Sequence, residues 1–276
     1  MAGDTQPRAT RKGVKVKTIE MFDLSGRVAV IPGGGGAIGS AIGRGLADAG
    51  AAVALAGRSK EGIDRAASTV ADGGGTALAI VADATDPTQA QRIIDETVSE
   101  LGRVDIIVNA IGGGAGDVLH DAEDYPAEAW DWIMELNVRS TLLPTQAAVR
   151  QMVSQGEGGR VLNISSVRGQ LGIDAGYSAY VAAKGAIDSL TRQWATEWAK
   201  HGISVNAIAP TFVDTPQVAS LLGDPDFKAG IVSRIPIGRV GTTDDLLGAA
   251  LLFCSRASSF VTGQILTIDG GLTATQ

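Results

Sequence analysis

The chain is constrained most tightly by a regular alternation, from Arg27 onward, of short apolar runs with longer amphipathic segments. Strands that alternate with helical segments are typical of repeated βα units and of a parallel sheet. Seven runs have the length and composition of buried strands: Val28–Ile31, Ala52–Ala56, Ala77–Val81, Ile106–Asn109, Val161–Ile164, Ser204–Ile208 and Ile265–Ile268. The alternation therefore predicts one α/β domain, a doubly wound sheet of seven parallel strands with helices on both faces.

The ends of the segments carry further signals. Asp86 and Pro87 suit the N-cap and first position of a helix, and Gly102 suits its end. Residues 1–20 are rich in Lys and Arg but lack the apolar core of a secretory signal, so we expect a disordered extension before a single domain over residues 21–276. The stretch from about 210 to 241 contains four prolines and interrupts the alternation, which predicts a lid over a ligand.

The composition argues against several classes of function. The 276 residues carry a net charge of −7, so the chain offers no broad cationic surface for nucleic acid or anionic lipid. No apolar run approaches the roughly 18 residues of a membrane span. The single cysteine, Cys254, cannot form an internal disulfide. The two histidines, His120 and His201, are far apart in the sequence and do not predict a metal site. These features predict a cytoplasmic protein whose ligand is a small molecule.

A glycine-rich turn follows the first predicted strand and opens directly into the first helix. It runs from Gly33 through Gly36, Ala37 and Ile38 to Gly39. Glycines let the backbone approach a pyrophosphate, and the helix N-terminus offers unpaired N–H groups at the positive end of the helix dipole. A flexible surface turn has a similar composition, but the strand before it and the helix after it favour dinucleotide binding in a Rossmann-type sheet.

Tyr180 and Lys184 lie one turn apart on the same face of a predicted helix. A phenol with a pKa of about 10 needs about 4 kcal/mol of differential stabilisation to ionise near neutral pH. An ammonium about 4 Å away supplies an energy of that order at a dielectric constant of about 20. The pair therefore predicts a tyrosine of lowered pKa that exchanges a proton with a substrate. A lysine that snorkels from an amphipathic helix is the alternative interpretation.

Several motifs, in the same order along the chain, resemble those of the short-chain dehydrogenase/reductase family. Residues 33–39 are similar to T-G-x-x-x-[AG]-x-G without its threonine, 163–166 to N-I-S-S, and 180–184 to Y-x-x-x-K. The resemblance spans residues 22–273. Three positions depart from the pattern of the family: Pro32, Ala110 and Thr211.

The resemblance implies an NAD(P)-dependent oxidoreductase that acts on CH–OH groups. Its catalytic residues would be Tyr180, which transfers the proton, Lys184, which tunes it, Ser166, which orients the reacting oxygen, and Asn137, which holds a water that links the lysine to solvent. Ser165 is the alternative serine, because the spacing from Ser166 to Tyr180 is one residue longer than usual. The implied cofactor-binding residues are Gly33, Gly36, Ala37, Ile38, Gly39, Arg58, Asp83, Ala84, Asn109, Tyr180, Lys184, Pro210, Val213 and Thr215.

The end of the second strand distinguishes between the two nicotinamide coenzymes. An acidic residue there would bind the adenosine ribose of NAD, whereas Gly57 takes that place and Arg58 follows it. Because a guanidinium suits the 2′-phosphate of NADP, we favour NADP(H) over NAD(H), with a solvated loop arginine as the alternative. The family resemblance implies that Asp83 contacts the adenine.

Two terminal segments, 21–27 and 263–274, resemble those of gluconate 5-dehydrogenases and related aldonate oxidoreductases. They imply interconversion of a secondary alcohol and a ketone on a sugar acid or polyol, with Ser166, Arg168 and Tyr180 as the substrate-binding residues. For Arg168, an exposed position in a loop or a salt bridge between subunits is an equal alternative to substrate binding. Reduction of a 3-oxoacyl thioester and a non-catalytic role as a nucleotide-binding regulatory or scaffold protein remain open. The family further implies a homotetramer.

Overall fold

A computed structural model describes residues 17–114 and 118–275. The seven predicted strands are confirmed, and all of them are parallel members of one sheet. The strands are β1 Val28–Pro32, β2 Ala52–Gly57, β3 Ala77–Val81, β4 Ile106–Asn109, β5 Gly159–Ile164, β6 Ile203–Pro210 and β7 Ile265–Ile268. Their order across the sheet is β3-β2-β1-β4-β5-β6-β7.

Helices cover both faces of the sheet, as the alternation predicts. They are α1 Ala37–Asp48, α2 Lys60–Asp72, α3 Pro87–Leu101, α4 Ala127–Met134, α5 Ser140–Gln155, α6 Ser178–Trp198, α7 Ala219–Leu222, α8 Pro225–Val232 and α9 Leu247–Cys254. A π-helical segment, Glu135–Arg139, joins α4 to α5. None of the helices in the described ranges has both the length and the apolar character that crossing a membrane requires.

The two faces of the sheet bury separate apolar cores, because successive strand residues point to opposite sides. Ile31 and Leu55 pack in a core shared with α1, α2 and α9, whereas Val30 packs on the other face with α3, α5 and α6. All three side chains are fully buried. Trp194 and Trp198 stack with their ring centroids 5.1 Å apart and pack in the second core, so core packing accounts for both tryptophans.

The helix ends predicted for α3 are confirmed. The Asp86 side chain accepts a 2.8 Å hydrogen bond from the Gln89 backbone N–H, and Pro87 is the first helical residue. Gly102 ends the helix with a φ of 85°, a left-handed conformation that glycine adopts at little steric cost. Local capping chemistry therefore fixes where this helix begins and ends.

The predicted N-terminal extension reaches too far into the chain. Residues 1–16 lie outside the described ranges, but Thr18–Phe22 form a 3-10 helix. The Glu20 carbonyl accepts a 3.0 Å hydrogen bond from Arg256 Nη2, which ties this helix to the C-terminal part of the domain. The domain therefore begins a few residues before position 21.

The segment at 210–241, which we expected to form a lid, contains the helices α7 and α8. The Asp224 side chain accepts hydrogen bonds from the N–H groups of Asp226 and Phe227, and Pro225 is the first residue of α8. Proline needs no N–H partner at that position, so a proline-containing segment is compatible with a helix here.

The order of the strands reverses between β1 and β4, because the chain passes from β1 outward through β2 and β3 before it returns to β4. In a doubly wound sheet, helices on either side of such a point lie on opposite faces and leave a crevice at the carboxyl ends of the strands. At the amino-terminal ends, the Asp105 carboxylate accepts hydrogen bonds from Arg27 and Arg103. The crevice thus lies at the carboxyl ends of the strands, and this ion network lies at their amino-terminal ends.

Candidate active site

The glycine-rich turn between β1 and α1 forms one wall of the crevice. Gly33 has a φ of 87°, and a Cβ atom on Gly39 would clash with the Gly33 carbonyl oxygen. Neither position accepts a side chain without a shift of the turn. Gly36 is the N-cap of α1 and has no side chain to cap it, so the first N–H groups of the helix, including those of Ala37 and Ile38, stay available for an anionic group.

The replacement of the usual threonine by Pro32 leaves the backbone bonds of the turn in place. The N–H groups of Gly33 and Gly34 donate to the Ala56 carbonyl at 2.8 and 3.1 Å. The Pro32 carbonyl accepts a 2.9 Å hydrogen bond from the Ala110 N–H. The turn is therefore tied to β2, and β1 to the loop after β4, without a hydroxyl at this position.

A cavity of about 1340 Å³ extends from the glycine turn past the carboxyl ends of β2 and β3. Arg58 is exposed at its edge, and Ala84 is buried in its wall. Asp83 accepts hydrogen bonds from the Thr85 N–H at 2.9 Å and from its hydroxyl at 2.8 Å. Burial alone would raise the pKa of Asp83, but these bonds and the Arg58 charge bring it below its usual range. A wall with unpaired helix N–H groups, a carboxylate and a guanidinium fits a dinucleotide.

Thr211, where the family pattern has glycine, lies in the wall of this cavity. Its N–H donates to the Ile268 carbonyl at 3.3 Å, but its buried hydroxyl has no partner among the residues that the structure describes. Within the described ranges, no cluster of three or more His, Cys, Asp or Glu side chains is placed to hold a metal ion.

Tyr180, Lys184 and Ser166 come together at the carboxyl end of β5. Lys184 Nζ lies 5.6 Å from the centroid of the Tyr180 ring and donates a 2.9 Å hydrogen bond to the carbonyl of Ile164, the last residue of β5. The Ser166 side chain is close enough to the Tyr180 phenol to influence its pKa, and its Oγ accepts the Arg168 N–H at 3.1 Å. The three residues line the same cavity as the glycine turn. A proton-exchanging phenol thus lies beside the cradle for the dinucleotide.

The predicted lowering of the Tyr180 pKa is wrong for this structure. Burial raises the pKa of the phenol, and the Ser166 hydroxyl and the Arg168 charge oppose this rise without cancelling it. Burial also lowers the pKa of Lys184 to about 8, although the Asp188 carboxylate acts in the opposite direction. At neutral pH the lysine is therefore mostly charged and the tyrosine is protonated.

Asn137 lies behind these residues, fully buried in the π-helical segment. Its side chain donates to the carbonyls of Gly113 and Ile133 at 2.8 and 3.0 Å, and it accepts the Gly113 N–H at 3.2 Å. A Cβ atom on Gly112 would lie 2.7 Å from Asn137 Oδ1 and 3.0 Å from Lys184 Nζ. Asn137 therefore holds the loop after β4 close to the lysine.

Two polar residues that the sequence analysis singled out serve the scaffold instead. Ser165, the alternative serine, also lines the cavity, but its hydroxyl donates to Asp188 Oδ1 at 2.5 Å. Asn109 is buried, and its Nδ2 donates to Thr145 Oγ1 at 2.7 Å and to Asn163 Oδ1 at 2.8 Å. Asn109 Nδ2 thus links β4 to β5 and α5, and the residue is absent from the described cavity lining. The cofactor contact of Asn109 stays a prediction.

The cavity brings together most of the predicted site residues: Gly33, Gly36, Ala37, Ile38, Gly39, Arg58, Asp83, Ala84, Ser166, Arg168, Tyr180, Lys184, Pro210, Val213 and Thr215. Sequence reasoning missed Tyr177, Gln217 and the loop at 112–114, which also line it. The glycine run could have identified this loop, since a Cβ atom on Gly114 would clash with the Tyr180 ring. No local signal marks Gln217, whose Nε2 lies 3.4 Å from a carbonyl of the loop.

Comparison with known proteins identifies relatives over most of the chain. A family model described as enoyl-(acyl carrier protein) reductase matches residues 35–273. The crystal structure of a short-chain type dehydrogenase/reductase from Mycobacterium marinum matches with a TM-score of 0.88 and 37% identity, over 93% of this chain and 99% of that one. The chain belongs to the short-chain dehydrogenase/reductase family.

Two further relatives of this short-chain dehydrogenase/reductase are gluconate 5-dehydrogenases. The one from Gluconobacter oxydans is 37% identical over 254 residues, which cover 92% of this chain and 97% of the relative. The crystal structure of the one from Burkholderia cenocepacia, in complex with NADP and tartrate, has a TM-score of 0.87 at 35% identity and covers 94% of this chain and 99% of that one. The resemblance predicted from sequence is confirmed, and the protein is an NAD(P)-dependent oxidoreductase that acts on CH–OH groups.

Proposed function

We propose that this enzyme interconverts a secondary alcohol and a ketone on a sugar acid or polyol, with NADP(H) as the preferred coenzyme. The main support is the single cavity that contains the glycine turn together with Tyr180, Ser166 and Lys184. The names of the relatives from G. oxydans and B. cenocepacia support the substrate class. An oxidoreductase of this kind needs a dinucleotide site and a proton-transferring group within reach of one substrate carbon.

The proposed coenzyme site runs along the carboxyl ends of the strands. The N-terminus of α1 binds the pyrophosphate, Asp83 and Ala84 face the adenine, and Pro210, Val213 and Thr215 lie at the nicotinamide end. Arg58, beside the residue that caps α2, binds the 2′-phosphate and so supports the preference for NADP(H). When bound, NADP supplies the hydride donor or acceptor for the reacting carbon.

The proposed proton transfer uses side chains of this chain alone. In ketone reduction the protonated Tyr180 donates its phenolic proton to the carbonyl oxygen, which Ser166 holds by a hydrogen bond. In alcohol oxidation the Tyr180 phenolate accepts the hydroxyl proton. Lys184, fixed on the Ile164 carbonyl, stabilises the phenolate by its charge, and Asn137 positions the loop that encloses the lysine.

The test of the substrate class is a screen of aldonates, polyols and acetoacetyl thioesters with both coenzymes, read by NADPH or NADH absorbance. We expect turnover of an aldonate or a polyol and little turnover of the thioesters. Turnover of the thioester alone would overturn the sugar-acid assignment. Coenzyme binding without turnover of any of these compounds would favour the non-catalytic alternative.

The coenzyme preference is tested with Arg58→Ala. We expect the variant to lose about tenfold or more in kcat/KM for NADP+ and to change little with NAD+, since a charge-assisted bond to the 2′-phosphate is lost. Arg92→Ala, an exposed arginine on α3 outside the cavity lining, is the matched control. An equal loss with both coenzymes would contradict the assignment of Arg58.

We further propose that the enzyme is a cytoplasmic homotetramer. Leu266 on the edge strand β7 and Val153 on α5 are exposed apolar side chains that subunit contacts would bury. Light scattering coupled to size exclusion at micromolar concentration measures the assembly, and a monomer would overturn the tetramer. Cell fractionation tests the location.

A further inference from the structure

Arg168 is a buried cation without an acidic partner in the described part of the chain. Arg168 is only 7% exposed, and its Nη1 donates a 3.0 Å hydrogen bond to the Gly172 carbonyl. No described carboxylate forms an ion pair with the guanidinium, which carries five N–H donors. Because a buried charge is costly unless it is paired, this arginine calls for an anion from outside the chain.

The position of Arg168 places it beside the reacting groups. It lines the cavity together with Ser166, Tyr177 and Tyr180, and its backbone N–H donates to Ser166 Oγ. The Tyr177 ring is half-buried, with its centroid 6.1 Å from that of Tyr180. Both phenols are close enough to act electrostatically on the guanidinium. An anion held by Arg168 therefore lies in the same space as the carbon that reacts.

A second cation, Arg234, lies just after α8. Burial first, and then the Arg234 charge, lower the pKa of the Arg168 guanidinium. The chain has a net charge of −7 and does not attract anions over long distances, so the attraction must come from a local cation such as Arg168.

We propose that Arg168 binds the carboxylate of the substrate and makes the enzyme select a hydroxy acid over its uncharged counterpart. The planar guanidinium holds both carboxylate oxygens, and the Tyr177 hydroxyl offers a further donor. Ser166 and Tyr180 hold the oxygen on the reacting carbon. This inference rests on the proposed function and narrows it, because a polyol lacks the group that Arg168 recognises.

The experiment compares the binding of D-gluconate with that of D-gluconamide, which replaces the carboxylate by a neutral amide of similar size. Calorimetry on the NADPH complex, which cannot oxidise either compound, measures both affinities without turnover. We expect the wild type to prefer gluconate by about 10- to 100-fold, the range of a charge-assisted pair. Arg168→Met should abolish the preference, and Arg168→Lys should keep part of it, because lysine keeps the charge but not the planar fork.

Arg92→Met removes one positive charge from an exposed site on α3 and should keep the full preference. The NADP+ affinity of each variant serves as the check that it is folded. The proposal is overturned if Arg168→Met retains the preference for gluconate, or if the wild type shows none. Failure of the proposed function is seen separately, as a wild type that binds gluconate selectively but does not reduce NADP+ with any aldonate or polyol.

Discussion

The half-buried Tyr180 phenol lies near the Ser166 hydroxyl and the Arg168 charge, while Lys184 Nζ donates a hydrogen bond to the Ile164 carbonyl. Because burial raises the pKa of the phenol, we expect kcat/KM for alcohol oxidation, which needs the phenolate, to rise with pH by up to about tenfold per unit. Ketone reduction, which needs the phenol, should stay level until the pH approaches that raised pKa. Initial rates in both directions from about pH 6 to about pH 8, where Lys184 with its pKa of about 8 is at least half charged, measure this.

A level profile for oxidation over that range would contradict a raised pKa of Tyr180. Tyr180→Phe provides the control, because it removes the titrating hydroxyl. It should lower turnover by about 100-fold or more in both directions and leave NADPH binding nearly unchanged. Unchanged turnover in this variant would remove Tyr180 from its proposed role.

Substitution of Gly39 tests whether the glycine turn binds the coenzyme. A Cβ atom there would clash with the Gly33 carbonyl oxygen, so Gly39→Ala should raise the Kd for NADPH about tenfold or more by moving the turn. Gly248→Ala, on an open and exposed face of α9, has no neighbouring atom to strike and should bind NADPH normally. Fluorescence titration with NADPH measures both, and equal affinities would argue against the cradle.

The individual site residues differ in how far the sequence could predict them. Tyr180, Lys184 and Ser166 follow from local motifs, which the fold brings to one end of β5. The direction of the Tyr180 pKa shift could not be predicted, because it depends on burial by residues distant in sequence. Asn109 fits a family motif, yet its amide is used inside the sheet, where no sequence pattern shows which group it will bond.

At the scale of elements, the segment at 210–241 is the part of the cavity wall that we propose moves. Gln217 bridges the cavity, since its Nε2 donates to the Gly112 carbonyl at 3.4 Å. A long, exposed bond of this kind contributes little to stability, so Gln217→Ala should keep the melting temperature. It should nevertheless speed NADPH release severalfold, because the segment then opens more easily. Stopped-flow displacement of NADPH measures the rate, and an unchanged rate would contradict the lid.

The strands and the ends of α3 were predictable because short-range chemistry fixes them. The strands are short continuous apolar runs that are buried on both faces of the sheet, Asp86 caps α3 and Gly102 ends it. The helices of the 210–241 segment were not predicted. Their sequence is mixed in polarity, and α7 is only four residues long, so periodicity gives no signal there. The beginning of the domain was misplaced for a similar reason, since the Arg256 bond that anchors Glu20 is distant in sequence.

At the scale of the whole molecule, the amino-terminal edge of the sheet is held by Asp105, which is 4% exposed and bonds to Arg27, Arg103 and the Val28 N–H. Although burial raises the pKa of Asp105, the two arginines and the N–H lower it below its usual value. A carboxylate whose pKa is lower in the folded state stabilises the fold above the unfolded pKa of about 3.9, and this contribution is lost as the pH falls through the folded value.

We therefore expect Asp105→Asn to lower the free energy of unfolding by about 1–3 kcal/mol at neutral pH, and by less as the medium becomes strongly acidic. Asp64→Asn, which breaks an exposed pair with Lys60 on α2, should cost less than about 1 kcal/mol. Urea denaturation at several pH values compares the two variants. A difference from wild type that does not shrink in acid would show that the Asp105 charge is not the cause.

Coenzyme and substrate are proposed to bind at the carboxyl ends of the strands, whereas the Asp105 network stabilises their amino-terminal ends. Between the two ends lie the apolar cores on both faces of the sheet, and neither ligand binding nor the ion network requires their side chains to change. Heat tolerance and substrate preference are thus separable goals for an engineer. Substitutions near Asp105 should alter stability with little effect on the cavity, and substitutions in the cavity should leave the Asp105 network unchanged.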